Sequence, residues 1–417
     1  MIRAQRGLMH DDHVITEFKS QRFRQIKDRV LGRVPAADAG VLLDYSHLPL
    51  TLLHLRSSAA LNRLLEFTEV IAVHENGTVY PHLSQSFPLI NQPEAADAGY
   101  EGAGTTVAVL DTGVNYTRAE FGPCTAPGVP VDCKVIEAVE IATNDNSLDD
   151  NGHGTNVSAI VVGVAPVSRI AGLDVFNPDG TASDAMVISG INWAIANQSA
   201  YNIVSINMSL GDSTRYTSPC SNQHTNPYVT PVNQARAAGI MPVSSSGNKG
   251  YTNGIERPGC TPGIISVGAV YDANIGGVSY SVCSDAATSA DKVTCFSNSS
   301  SFLTMLAPGA AITAGGYTKY GTSQAAPHVA GAVAVLRAAY PTESIDTTTS
   351  RLTSAGEPVI DTRNGIEKPR LDLYNSTGIE AETVPAFSGY GLAAIILALI
   401  VLGVNTGRKQ ADRNRMR

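Results

Sequence analysis

Through the middle of the chain, short runs of almost purely apolar residues alternate with longer stretches of helical period. The apolar runs fall at 106–110, 170–175, 203–208, 240–244 and 264–270, and the helical stretches at 153–162, 183–199, 231–238 and 322–340. Strands without polar alternation are strands buried on both faces, as in parallel sheets. Strand–helix alternation then predicts an α/β fold: a doubly wound, mostly parallel sheet with helices on both faces.

The pattern before residue 85 differs. Residues 1–29 are polar and charged. Runs at 41–45 and 50–55 read as strands, 59–67 as a helix and 70–73 as a further strand leading to Asn76-Gly77, a hairpin-turn signal. This predicts a small α+β unit. The chain is divided into 1–84 (N-terminal segment), 85–374 (main domain), 375–386 (polar linker), 387–404 (apolar helix) and 405–417 (basic tail).

Residues 387–404 are uncharged and mostly apolar, long enough to span a bilayer. Arg408, Lys409, Arg413, Arg415 and Arg417 follow, which places the tail in the cytoplasm and the main domain outside. Residues 1–29 lack the apolar core of a secretory signal, so an export signal is expected upstream of the given start.

Composition supports a large globular domain: 417 residues, 43% hydrophobic, with 38 glycines for tight turns. The formal net charge of −8 gives no electrostatic footprint for nucleic acid. Six cysteines, none in a C-x-x-C pair, read as three disulfides in an oxidising compartment rather than as a zinc site. The pairs 124–133, 220–260 and 283–295 are preferred because each closes a local loop.

Four motifs carry chemistry. Val107-Ala-Val-Leu-Asp111-Thr-Gly113 ends an apolar strand in a carboxylate, where open α/β sheets form sites. Asn151-Gly-His153-Gly-Thr155 opens a helix with an imidazole between two glycines, a general-base candidate. Gly321-Thr-Ser323-Gln-Ala-Ala-Pro327-His-Val-Ala-Gly331 places a serine at a helix start, where the dipole favours negative charge. Ser244-Ser-Ser-Gly247-Asn248 follows a strand, and its asparagine amide can donate to a developing oxyanion. Each alone reads equally well as a cap or turn. His328, deeper in the last helix, reads as packing.

The order Asp, His, Ser and the wording of the motifs closely resemble the subtilisin-like serine protease family over about 85–340. The resemblance implies an exported serine endopeptidase in which Asp111 orients His153, His153 deprotonates Ser323, and Asn248 forms the oxyanion hole. It implies that Ser209, Leu210 and Gly211 pair with an extended polypeptide substrate, and that Ser245, Ser246 and Gly247 wall the first specificity pocket. Lys249 at the rim would disfavour basic side chains. No cofactor or metal is needed for catalysis; Asp145, Asp149 and Asp150 are candidates for a structural calcium site, with a solvated acidic loop as the preferred reading. Residues 36–84 resemble the family's inhibitory propeptide, with cleavage and the mature start within 85–94. Two positions depart from the family: Asn156 stands where many relatives have histidine, and Gln324 where methionine is common.

Val384-Pro-Ala-Phe-Ser-Gly-Tyr-Gly-Leu392, the apolar run and the arginines resemble a bacterial tripartite sorting signal. This implies location at the bacterial cell envelope, anchored or released by a sorting protease. Two rival functions remain: a surface binding protein on an inactive protease fold, and a peptide ligase using the same three residues.

Overall fold

The computed structural model describes residues 13–18, 23–44, 50–75 and 85–378. The chain divides into two compact units, Met1–Pro81 and His82–Arg417. The Asn76-Gly77 turn and the expected segments 387–404 and 405–417 lie outside the described residues. Among the described residues, no helix is long and apolar enough to cross a membrane.

The first unit comprises β1 (His13–Phe18), α1 (Phe23–Leu31), β2 (Ala39–Asp44), β3 (Leu50–Leu55), α2 (Ser58–Glu66) and β4 (Val70–Glu75). Its antiparallel sheet has the order β2-β3-β1-β4. Ser57 starts α2 by accepting a hydrogen bond from the Ala60 amide, satisfying one orphan donor. Val30, Leu53, Leu55, Ala60, Leu61 and Leu64 form its core. The sequence expectation is corrected at one end. The unit begins well before residue 36, and β1, read as part of a polar segment, lies inside the sheet between β3 and β4.

The second unit opens with two short helices, α3 (Ser86–Leu89) and α4 (Gln92–Asp97). There follow β5 (Thr106–Asp111), β6 (Val135–Glu140), α5 (His153–Val164), β7 (Arg169–Asp174), α6 (Asp184–Ala196), α7 (Gln198–Tyr201), β8 (Ile203–Met208), α8 (Val229–Ala237), β9 (Met241–Ser245) and β10 (Ile265–Val270). Two-residue strands β11 (Val278–Ser279) and β12 (Ser284–Asp285) pair, as do β14 (Ile312–Ala314) and β15 (Tyr317–Lys319). The remaining elements are β13 (Met305–Pro308), α9 (Thr322–Ala339), α10 (Ile345–Ala355), β16 (Glu357–Asp361), β17 (Ile366–Arg370) and α11 (Leu373–Ser376).

Nine strands form one sheet in the order β16-β17-β13-β10-β9-β8-β5-β7-β6. It is parallel except for the edge pair β16–β17. The five strands expected from apolar runs are all present. Within β5, Val107 and Val109 join the core under α5 and α9, whereas Ala108 and Leu110 join the core under α6 and α8. That division is the period-2 alternation of a strand covered on both faces.

Four of the nine strands were not anticipated: β6 and β16, at the two edges, and β17 beside β16 carry exposed or half-buried residues, and β13, though buried, is only four residues long and ends in a proline. The helix expected over 183–199 breaks at Asn197 into α6 and α7. All three expected disulfides form: Cys124–Cys133, Cys220–Cys260 and Cys283–Cys295.

β5 is flanked by β8 on one side and β7 on the other, so the order of connection reverses there. A crevice at the carboxyl ends of the strands is expected at such a switch point. α9 runs across this region almost wholly buried against α5. Their contact depends on Gly331, where an added Cβ would lie 2.8 Å from Val164 Cβ and 3.0 Å from the Val161 carbonyl oxygen. Gly331→Val is therefore expected to destabilise the second unit by about 1–3 kcal/mol through overpacking, measured as a lower urea midpoint; an unchanged midpoint would show that α5 yields freely.

Candidate active site

Asp111 is the last residue of β5, and its side chain is 1% exposed. A carboxylate so far from water needs partners. Its Oδ1 accepts a hydrogen bond from the Thr112 amide at 2.9 Å and lies 2.6 Å from His153 Nδ1. That contact holds the imidazole with its proton on Nδ1, leaving Nε2 as the basic nitrogen. Burial opposes a positive charge on His153, but the charge and hydrogen bond of Asp111 outweigh it, with a smaller contribution from Asp149. Lys319 pulls the other way, and the net effect raises the imidazole above its ordinary value.

His153 begins α5 because Asp149 organises the turn before it. Asp149 Oδ1 accepts from the Asn151 and Gly152 amides and from the Thr112 hydroxyl. Its Oδ2 accepts from the amide and hydroxyl of Thr155. One carboxylate thus caps the helix and stitches the Asp111 motif to the His153 motif. Gly154 is required by the same closeness: a Cβ there would lie 2.1 Å from the Gly113 carbonyl oxygen.

Among the described residues, no group of three or more His, Cys, Asp or Glu side chains is placed to hold a metal ion. Asp149, a sequence candidate for calcium, engages both oxygens with protein donors.

Ser323 is the second residue of α9, among first-turn amides that have no intrahelical acceptor. Its hydroxyl donates to the Ser209 carbonyl oxygen at 3.2 Å rather than to His153. The Ser209 hydroxyl donates to the Ser323 carbonyl at 2.8 Å and accepts from Asn207 Nδ2 at 2.9 Å. Asn248 is exposed, but its Oδ1 is fixed by the Thr322 amide at 2.8 Å and hydroxyl at 3.0 Å. Its Nδ2 has no partner among the described residues. Ser245 Oγ donates to the Leu210 carbonyl at 3.2 Å, joining the segment 209–211 to the segment 245–247. His328 is fully buried, with Nδ1 donating to the Gln324 carbonyl at 2.8 Å. Burial pushes it down to about 4, which fits packing.

Asn156 and Gln324, the two departures from the family pattern, are a single feature. Gln324 Nε2 donates to Asn156 Oδ1 at 3.1 Å. Asn156 Nδ2 in turn reaches the carbonyls of Ala314 at 3.1 Å and Tyr317 at 2.9 Å. Asn156 lies one turn after His153, and Gln324 follows Ser323. The bond therefore ties together the helix turns that carry the imidazole and the hydroxyl. Sequence reading marked both residues but could not pair them.

The chain matches the model of the subtilase family over residues 102–367. It is 31% identical to Subtilisin DY of Bacillus licheniformis over 285 residues, 64% of this chain and 89% of that protein. It is 30% identical to the Thermostable alkaline protease of Halalkalibacterium halodurans over 323 residues, 73% of this chain and 76% of that one. A crystal structure of a cold adapted subtilisin-like serine proteinase aligns with a TM-score of 0.51 at 28% identity, covering 65% of this chain and 89% of that one.

Removing Asn156 leaves Gln324 Nε2 and buried carbonyls unanswered, a cost of about 1–3 kcal/mol. In a double-mutant cycle of Asn156→Ala and Gln324→Ala, the summed losses should exceed the double loss by about 0.5 kcal/mol or more. Unfolding in a Ser323→Ala background measures this without self-digestion, and simple additivity would refute the coupling.

Proposed function

The chain belongs to the subtilase family and is a serine-type endopeptidase, and we propose that it cleaves polypeptides with Asp111, His153 and Ser323 as its triad and Asn248 as an oxyanion-hole donor. The observation that carries this assignment is the part-buried Asp111–His153 hydrogen bond of 2.6 Å, with its helix turn tied to that of Ser323.

Turnover starts when Ser323 Oγ leaves the Ser209 carbonyl and attacks the substrate carbonyl carbon. Its proton passes to His153 Nε2, and Asp111 stabilises the imidazolium. The oxyanion takes hydrogen bonds from Asn248 Nδ2 and the Ser323 amide, strengthened by the α9 dipole. His153 then protonates the departing amine, leaving an acyl ester on Ser323. Water, deprotonated by His153, hydrolyses that ester by the reverse sequence. Residues 209–211 offer backbone groups to an extended substrate, and Ser245, Ser246 and Gly247 face them across the first pocket.

The first unit is assigned as a propeptide that the enzyme removes. Support comes from its separate core and from the way residues after 85 belong to the second unit. Ile90 is fully buried, Asn91 Nδ2 donates to Asp372 at 2.8 Å, and the Leu373 amide donates to the Ile90 carbonyl at 2.7 Å. Cleavage is therefore assigned before Ser86, at or before the N-terminal edge of the expected 85–94 window. The three disulfides support a working site outside the cytoplasm. The anchor or sorting role of 387–404 is kept as part of this assignment, on the strength of the apolar run and basic tail.

A serine-directed phosphonate should label Ser323, and Ser323→Ala should retain the N-terminal unit that the wild type sheds. Labelling elsewhere, or identical processing of the mutant, would overturn the assignment. The pH profile tests the pair. A raised imidazole is protonated, and inactive as a base, below its pKa. The acid limb of kcat/KM should therefore lie above the ordinary value of 6.5. Lys319→Ala removes an opposing positive charge and should move that limb to higher pH; a shift to lower pH would contradict the electrostatics.

A further inference from the structure

One buried acid beside the site has no role in the chemistry above. Glu256 is 5% exposed. Its backbone amide donates to the Ser246 carbonyl at 3.0 Å. Its carboxyl lies directly against both walls of the first pocket. A Cβ on Gly211 would be 2.3 Å from Glu256 Oε2, and a Cβ on Gly247 would be 2.4 Å from its carboxyl carbon. Both walls are bare of side chains where they meet it.

The carboxyl has only neutral partners. The Ser213 amide donates to Oε2 at 3.2 Å, and Asn298 Nδ2 donates to Oε1 at 3.2 Å. Among the described residues, no cation forms an ion pair with it. Its neighbour Arg257 is committed to Asp184 at 3.1 Å and Asp212 at 3.4 Å. Lys249 is exposed, and among the described residues it makes no ion pair. Burial pushes Glu256 up, the two N–H donors pull it down, Asp212 raises it and Lys249 lowers it; the net direction is upward. A buried carboxylate without a counter-ion is costly, and a cation delivered between the walls would relieve it.

Resting on the peptidase assignment above, we propose that Glu256 is the specificity residue of the first pocket and that it selects substrates with arginine or lysine on the acyl side of the cleaved bond. Arginine can engage the carboxylate through two parallel N–H donors. This reverses the expectation drawn from Lys249. A charge at an exposed rim is screened by water and salt, whereas one at a buried wall is not.

The test uses processed enzyme and peptides that differ only at that residue: Arg, Lys, Gln, Leu or Glu. Active enzyme is titrated with the phosphonate. Arg and Lys peptides should exceed Gln and Leu peptides in kcat/KM by at least about tenfold, with Glu the poorest. Glu256→Gln should collapse the Arg-to-Leu ratio by a similar factor, and Glu256→Asp should keep its sign. Because the readout is a ratio, a general loss of activity cancels. Cleavage with no basic preference, a preference for Gln over Lys, or an unchanged ratio in Glu256→Gln would overturn the proposal while leaving the peptidase intact. If Glu256→Gln does not fold, the wild-type ranking and Glu256→Asp decide the matter. Failure of both labelling and all cleavage would overturn the peptidase assignment, and this one with it.

Discussion

A carboxylate removed from water must be answered by another group, and three carboxylates organise the crevice: Asp111 and Glu256 are buried, and Asp149 is half-buried. Asp111 is answered by His153, which fixes the imidazole and raises its basicity. Asp149 is answered by the Asn151 and Gly152 amides just before α5, by the Thr155 amide in its first turn and by two threonine hydroxyls, which sets where that helix begins. Glu256 is answered only by an amide N–H and an asparagine side chain. The first two are closed arrangements that build the site. The third is open, and its missing partner is what a substrate can supply. Desolvation therefore accounts for orientation and selectivity, and amide hydrogen bonding for helix placement.

The parts of the fold legible in the sequence were those whose environment is uniform. β5, β7, β8, β9 and β10 are buried on both faces, so their apolar runs needed no partner to be recognised. β6, β16 and β17 face water on at least part of their surface and read as loop; β13, buried but only four residues long, and β1, short and set in charged sequence, were missed inside their sheets. Asp111, His153 and Ser323 stood out through glycine-flanked motifs, because crowded turns leave their mark on the adjacent residues, as Gly154 does. What could not be read were contacts between distant positions. Asn156 and Gln324 are 168 residues apart, and nothing local in either sequence implies the other. Asp149 was a candidate cation ligand, behind the preferred reading of a solvated acidic loop, because acidity is visible in a sequence and the donors that engage it are not.

Glu256 was passed over for a related reason. It sits between Ile255 and Arg257, and an acid beside an arginine reads as a surface pair. The structure separates them: Arg257 turns to Asp184 and Asp212, while Glu256 turns inward. Two adjacent residues of opposite charge therefore act in different places. The local net charge is near neutral, but the carboxylate of Glu256 is the one that lies against Gly211 and Gly247.

A carboxylate without a counter-ion gains by swinging out to water, so keeping it buried requires a stiff loop. The chain holds this loop from several directions. The Cys220–Cys260 disulfide crosses 40 residues just beyond Glu256, and the Cys220 amide donates to the Cys260 carbonyl alongside it. Tyr216 bridges to Ile255 on the other side of the acid. Arg257 clamps the following position through its two aspartates, and Asn298 reaches both Glu256 and the Ser246 carbonyl. A loop that merely connected β9 to β10 would need none of this. The density of covalent and polar restraints around one unpaired charge fits a pocket whose selectivity is set in advance, with the cost of burying that charge borne by the fold and returned when a cationic side chain arrives.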